Sequence, residues 1–246
     1  MVRDRKFNKV VQMTIYVGID DTGNSESVGT GKFARIIADE ISKKYPVYGV
    51  TRHQFYVHPD IHFSLHNFCA VIHVDIDEEE SVDDIFEMIK EIMQDNFNES
   101  SNPGLAVAHE SRISPAIVAY GKDAKDKVLT QERARNLARN SGIRLECFGE
   151  TENGIIGAMA GIGLAFTGND GRFLQMGKIR KLKGPQPVEK LIDAGIDGIF
   201  TRDGCSITNG RVINEGDKPV KPCFINGKVI LFVNKENGVF KAVTRN

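Results

Sequence analysis

Apolar positions come in two textures in the first hundred residues. Short continuous runs read as strands: Thr14–Ile19, Tyr48–Phe55, Phe68–Val74 and Leu105–Ala108. Between them lie stretches with helical spacing. Phe33, Ile36, Ile37 and Ile41 predict a helix from about Gly31 to Lys44. Val82, Ile85, Ile89 and Ile92 predict another, with Ser81 as N-cap, Asp84 three residues on, and an end near Phe97. Asn102-Pro103-Gly104 is a turn. The order is β-α-β-β-α-β, that of a ferredoxin-like unit.

The pattern then changes. Gln131–Asn140 is helical and stopped by Gly142, Ile155–Ile162 is apolar and glycine-rich, and Val188–Ala194 is a short helix. Asn209-Gly210, Asn226-Gly227 and Asn237-Gly238 each sit between strand-like runs. Asn-Gly suits type I′ turns, which need positive φ at both central positions. The last forty-odd residues therefore read as a β-meander.

Composition narrows the classes. With 246 residues, 41% hydrophobic and 26% charged, the chain can bury a core, which excludes a mainly disordered protein. There are 32 basic and 33 acidic residues, a net charge of -1, so RNA binding would need a local patch. The densest basic run, Lys178–Lys183, reads as a strand that either meets phosphates or forms a solvated edge. Asp75–Asp84 holds seven acids in ten residues and reads as a solvated face. Cys69, Cys147, Cys205 and Cys223 are too scattered for a zinc ribbon or a C-x-x-C motif, and without a secretory signal they fit a reducing cytoplasm. The longest apolar run, Gly154–Phe166, has 13 residues, short of the roughly 18–20 that a membrane span needs.

The sharpest candidate site is Gly18-Ile19-Asp20-Asp21-Thr22-Gly23. Two carboxylates where a strand ends suit Mg²⁺, and the metal can bridge phosphate oxygens. An Asp-rich turn that caps local N–H groups reads the same way. Gly29, Thr30, Gly31 and Lys32 then lead into a helix, whose N-terminal N–H groups favour phosphate. This is not a Walker A loop, because Glu26 stands five residues before Gly31 and Phe33 follows Lys32. It is not a dinucleotide fingerprint either, because Gly29 falls about ten residues after Asp20. Gly154, Gly157, Gly161 and Gly163 line either a packed helix or a ligand wall. His53, His58, His62 and His66 lie within fourteen residues without an obvious fourth metal ligand, and read as polar residues near a cleft.

Val17-Gly18-Ile19-Asp20-Asp21-Thr22, following Met13, resembles the opening of archaeal tRNA-isoleucine agmatinylcytidine synthetase. Pro59 with the strand after it, Asn102-Pro103-Gly104, and the segment Gly154–Gly163 resemble further stretches of that family, in the same order, between about Met13 and Lys183. The resemblance implies an ATP-dependent kinase-like domain over 13–125 and a ferredoxin-like domain over 126–200; the Asn-Gly turns make 201–246 a β-rich extension. It implies that Thr30 matches a phosphate-accepting threonine. Gly23 stands where the family has a third acid, and Ser64-Leu65-His66-Asn67-Phe68 replaces a basic run. The family's OB and zinc-ribbon regions have no counterpart here.

The expectation is an α+β protein of the cytoplasm that uses ATP and Mg²⁺ for phosphoryl transfer or phosphate activation on a small molecule or nucleotide. Asp20 and Asp21 are the metal ligands. Asp20, Asp21, Thr30 and Lys32 carry the chemistry, and Gly29, Thr30, Gly31 and Lys32 hold phosphate. Gly154, Gly157, Gly161, Gly163 and His66 line the second substrate's pocket. Nucleotide and small molecule are the partners, RNA binds weakly, no membrane is involved, and self-association stays open. The alternative is a non-catalytic nucleotide- or RNA-binding module.

Overall fold

The computed structural model describes residues 14–23, 29–61, 66–96, 101–214, 218–236 and 238–244. The first unit is β1 (Ile15–Asp20), α1 (Thr30–Ile41), β2 (Val47–Gln54), β3 (Phe68–Val74), α2 (Ser81–Asp95) and β4 (Gly104–His109). Its strands lie in the order β4-β1-β3-β2, all neighbours antiparallel, which is the ferredoxin-like arrangement. Alternation along β1 sends Ile15, Val17 and Ile19 toward α1 and α2, where they meet Phe33, Ile37, Ile85 and Ile89. Tyr16 faces the other way.

That opposite face is closed by α5 (Gly154–Phe166), with α3 (Pro115–Asp123) and α4 (Gln131–Ser141) behind it. β5 (Arg144–Cys147) pairs with β4, and β6 (Arg172–Met176) pairs with β2. The elements of 126–200 thus extend the first sheet on both flanks, because unpaired backbone groups along β4 and β2 need partners. β7 (Gln186–Pro187), α6 (Val188–Asp193), β8 (Gly198–Thr201), β9 (Arg211–Ile213), β10 (Cys223–Ile225), β11 (Lys228–Glu236) and β12 (Val239–Val243) complete the chain. Among the described residues the sheet has twelve strands, in the order β5-β4-β1-β3-β2-β6-β10-β11-β12-β9-β7, with β8 beside β11. A mixed α+β architecture is what the alternating textures predict.

Several local expectations hold. Gly142 ends α4 at φ +67, and Asn226 and Gly227 both have positive φ between β10 and β11. β11 and β12 form a hairpin at Gly238, although Asn237 lies outside the described residues. Others are corrected. Asn209-Gly210 does not join a hairpin: β9 pairs parallel with β12 and antiparallel with β7, so only β10-β11-β12 is a meander. Lys178–Lys183 is not a strand but a turn of 3₁₀ helix over Ile179–Lys181, with Ile179 buried as its anchor. Ser81 is the first residue of α2 rather than its cap; Glu80 holds that position without a side-chain bond. Phe97 lies outside the described residues.

Candidate functional site

β1 ends at Asp20, and the next residue, Asp21, takes φ +51. Left-handed backbone is costly for most L-residues, and Asp tolerates it better than most. That single kink brings both carboxylates to one cleft, although consecutive strand residues point apart. The Asp21 N–H donates to Asp20 Oδ1 at 2.8 Å. Asp20 is half-buried, and desolvation, then the Asp21 charge, push its carboxyl well above the usual carboxylate range.

The wall facing Asp20 is α5. Gly18 lets it settle on β1, since a β-carbon there would strike the Ala158 carbonyl. Gly157 lies directly against Asp20: its β-carbon would overlap Oδ2 and stand 3.0 Å from the Phe55 ring. Asn153, Ile156 and Gly157 share one helical face and line the cleft together. On the third side stands the N-terminus of α1. Its N-cap is Gly29, which offers no side chain, and no acid occupies the first turn. Among the described residues no side chain caps the first-turn N–H groups, and the helix dipole adds positive potential there. Thr30 is the first helical residue, nearly buried, and it lines the same cleft. The cleft has a volume of about 140 Å³ and adds Asp60, His66, Asn67, Lys127 and Leu129 to its rim. Thr22 Oγ1 is buried beside it without a hydrogen-bond partner.

Asp20, Asp21, Thr30, His66 and Gly157 are thus brought together. The other sequence candidates fall elsewhere. Lys32 is exposed and off the cleft, and Gly31 faces Leu174 and Phe68. Gly29 is open on its Cα side. Gly154 packs against Gly104 and Asn102, Gly161 against Cys69, and Gly163 against the Ile117 carbonyl of α3. These three are contact points of helix on sheet and helix on helix. His53 is buried in β2, its Nε2 at 2.7 Å from Thr51 Oγ1 and its Nδ1 at 2.8 Å from Asp170 Oδ1; His62 lies outside the described residues. Among the described residues no cluster of three or more metal-ligating side chains occurs.

Sequence reading missed Phe55, Asn67, Lys127, Asn153 and Ile156. Asn153 and Ile156 were within reach, because they stand four and one residues before Gly157 on one helical face. Lys127 was not: it follows α3, a helix whose signal was only Ser114-Pro115 at its start.

The antiparallel order β4-β1-β3-β2, with α5 laid across the face that Asp20 points to, decides the comparison with solved structures. Over 61% of its length this chain shares the fold of a part of tRNA agmatidine synthetase. A crystal structure of the apo synthetase superposes with a TM-score of 0.53 at 21% identity over 61% of this chain and 35% of the synthetase. The synthetase in complex with tRNA and ATP gives 0.53 and 23% over 61% and 36%. A tRNA fluorescent labeling enzyme gives 0.52 and 22% over 61% and 36%. This chain therefore spans about a third of the length of the synthetase. No protein-family model and no curated protein sequence matches it.

Proposed function

We propose that the cleft binds ATP and Mg²⁺ for phosphoryl transfer or phosphate activation on a small molecule or nucleotide, within the tRNA-linked chemistry of the synthetase whose fold it shares. One observation carries the reading: two carboxylates and an uncapped helix N-terminus open on the same cleft. The residues fit the metal. Asp20 and Asp21 are hard oxygen donors, and Asp20 is a half-buried, desolvated carboxyl whose charge a cation would offset. Asp20 and Asp21 would hold Mg²⁺, which neutralises phosphate charge when bound. The N–H groups of α1 would take a phosphate, Thr30 would present its hydroxyl beside it, and Phe55, Ile156 and Leu129 would exclude water. Calorimetry with ATP and Mg²⁺ tests this. Asp20→Asn and Asp21→Asn should each weaken binding at least about tenfold. Asn is chosen at position 21 because it keeps the left-handed backbone accessible. Unchanged affinity in both variants overturns the assignment.

A second reading, nucleotide binding without turnover, is favoured by Gly23. A β-carbon there would stand 2.9 Å from the Gly29 Cα, so the third acid of the resembling family would not fit this loop as it is built. An ATP turnover assay on the wild-type chain separates the two readings.

A further inference from the structure

A second cleft opens where β2, β6 and β10 meet, and its chemistry differs. It has a volume of about 400 Å³ and is lined by Arg52, Gln54, Lys125, Asp170, Arg172 and Phe224, among others. Arg52 on β2 and Arg172 on β6 stand directly opposite each other in the ladder. Like charges in that position repel. Both guanidiniums are about half buried, and burial together with the neighbouring Arg172 pulls Arg52 down to about 10. Arg52 lies 4.0 Å above the Phe68 ring and donates to Gln54 Oε1 at 2.8 Å. Arg172 Nε is buried with no hydrogen-bond partner. Lys221, on the wall of the adjoining cleft, adds a third charge near enough to feel both arginines; burial first, then Arg172, Lys218, Arg52 and Arg180, lower it. Among the described residues, no carboxylate forms an ion pair with Arg52, Arg172 or Lys221. Asp170, the acid in the cleft, is already held by Lys125 at 2.7 Å and by His53 at 2.8 Å.

We propose that Arg52, Arg172 and Lys221 form a phosphate-binding site separate from the cleft at Asp20. Burying like charges face to face is costly without an anion, and a buried guanidinium N–H lacking an acceptor adds to the cost. A phosphate group supplies both the charge and the acceptors, and paired guanidiniums match its geometry. The site takes the phosphoryl end of a ligand, either a free phosphate compound or a phosphate of a polynucleotide. It is built by the junction of β2 and β6 with the segment leading into β10, so it depends on the C-terminal strands.

The test is thermal unfolding and calorimetry of the full chain with sodium pyrophosphate, without Mg²⁺ or nucleotide, at constant ionic strength set by sodium chloride. Wild type should be stabilised in a saturable way. Arg172→Gln and Arg52→Gln should each weaken binding at least about tenfold, and Lys221→Gln several-fold. The Arg variants should be no less stable than wild type without ligand, since the repulsion is gone. Asp20→Asn should bind pyrophosphate as wild type does, which keeps this site distinguishable from the ATP cleft. A single-stranded oligonucleotide and inorganic phosphate, run in parallel, distinguish the two ligand sources. No saturable stabilisation of wild type, or equal binding by Arg172→Gln and Lys221→Gln, overturns the proposal. Lys221 is the safeguard if the strand variants misfold, because it lies outside the sheet ladder.

Discussion

Asp20 Oδ2 occupies the space that a β-carbon of Gly157 would need. Strand β1 and helix α5 are therefore spaced by a carboxylate on one side and by the lack of a side chain on the other. On helix propensity alone, Gly157→Ala would stabilise by about 1 kcal/mol. The overlap reverses the sign, and a loss of about 1–3 kcal/mol in urea unfolding is expected, with weaker ATP binding. Gly29→Ala is the control. It has φ -59 and nothing within 4 Å of the new methyl group, so only the poorer N-cap preference of Ala counts against it, and the loss should stay within about 1 kcal/mol.

Asp20→Asn should separate function from stability. The half-buried Asp20 carboxyl is raised by desolvation and by Asp21, so its charge opposes folding at neutral pH. The amide keeps the shape without the charge. The unliganded variant should melt at or above the wild-type temperature and lose the stabilisation that ATP with Mg²⁺ gives. A lower melting temperature together with intact ATP stabilisation would make Asp20 a structural residue.

Thr30 is not the cap of α1; Gly29 is. Thr30→Val should therefore change stability by no more than about 1 kcal/mol. After incubation with labelled ATP and Mg²⁺, peptide mapping should find label at Thr30, retained as phosphoserine in Thr30→Ser and absent in Thr30→Val. An unlabelled Thr30 in a chain that still turns over ATP rules out the residue as acceptor.

His73 is fully buried against Thr51 Oγ1 at 2.8 Å, and burial, then His53, lowers its pKa to about 3. The unfolded chain binds a proton near 6.5 that the folded chain refuses. The stability is thus present above about pH 6.5 and is lost as pH falls toward 3. His73→Gln should flatten urea-derived stability against pH by up to about 1.4 kcal/mol per unit in that window. An unchanged slope would mean that the ring is protonated in the fold.

The first unit was legible because its signals are local. Helical spacing in Phe33–Ile41 and Val82–Ile92, and apolar runs in the four strands, name the elements and their order. The acidic pair at a strand end and the glycine-led helix start were legible for the same reason: strand ends and helix starts are written in adjacent residues. Four glycines of α5 looked alike in sequence, yet only Gly157 meets the cleft. Which neighbour each one faces depends on where the helix rests on the sheet.

By itself, the sequence determined the β-α-β-β-α-β order, the Asp20-Asp21 pair at the end of β1, the start of α1 to within a residue, and the turn at Asn226-Gly227. Each follows from side-chain periodicity or from the φ that a residue tolerates. Only the tertiary structure decided that β5 and β6 join the first sheet, that Lys127 and Phe55 share a cleft with Asp20, that Lys32 does not, and that Arg52 meets Arg172. Those facts come from strand register and helix placement, which are set by the summed packing of distant apolar faces and are not recorded in any short stretch of chain.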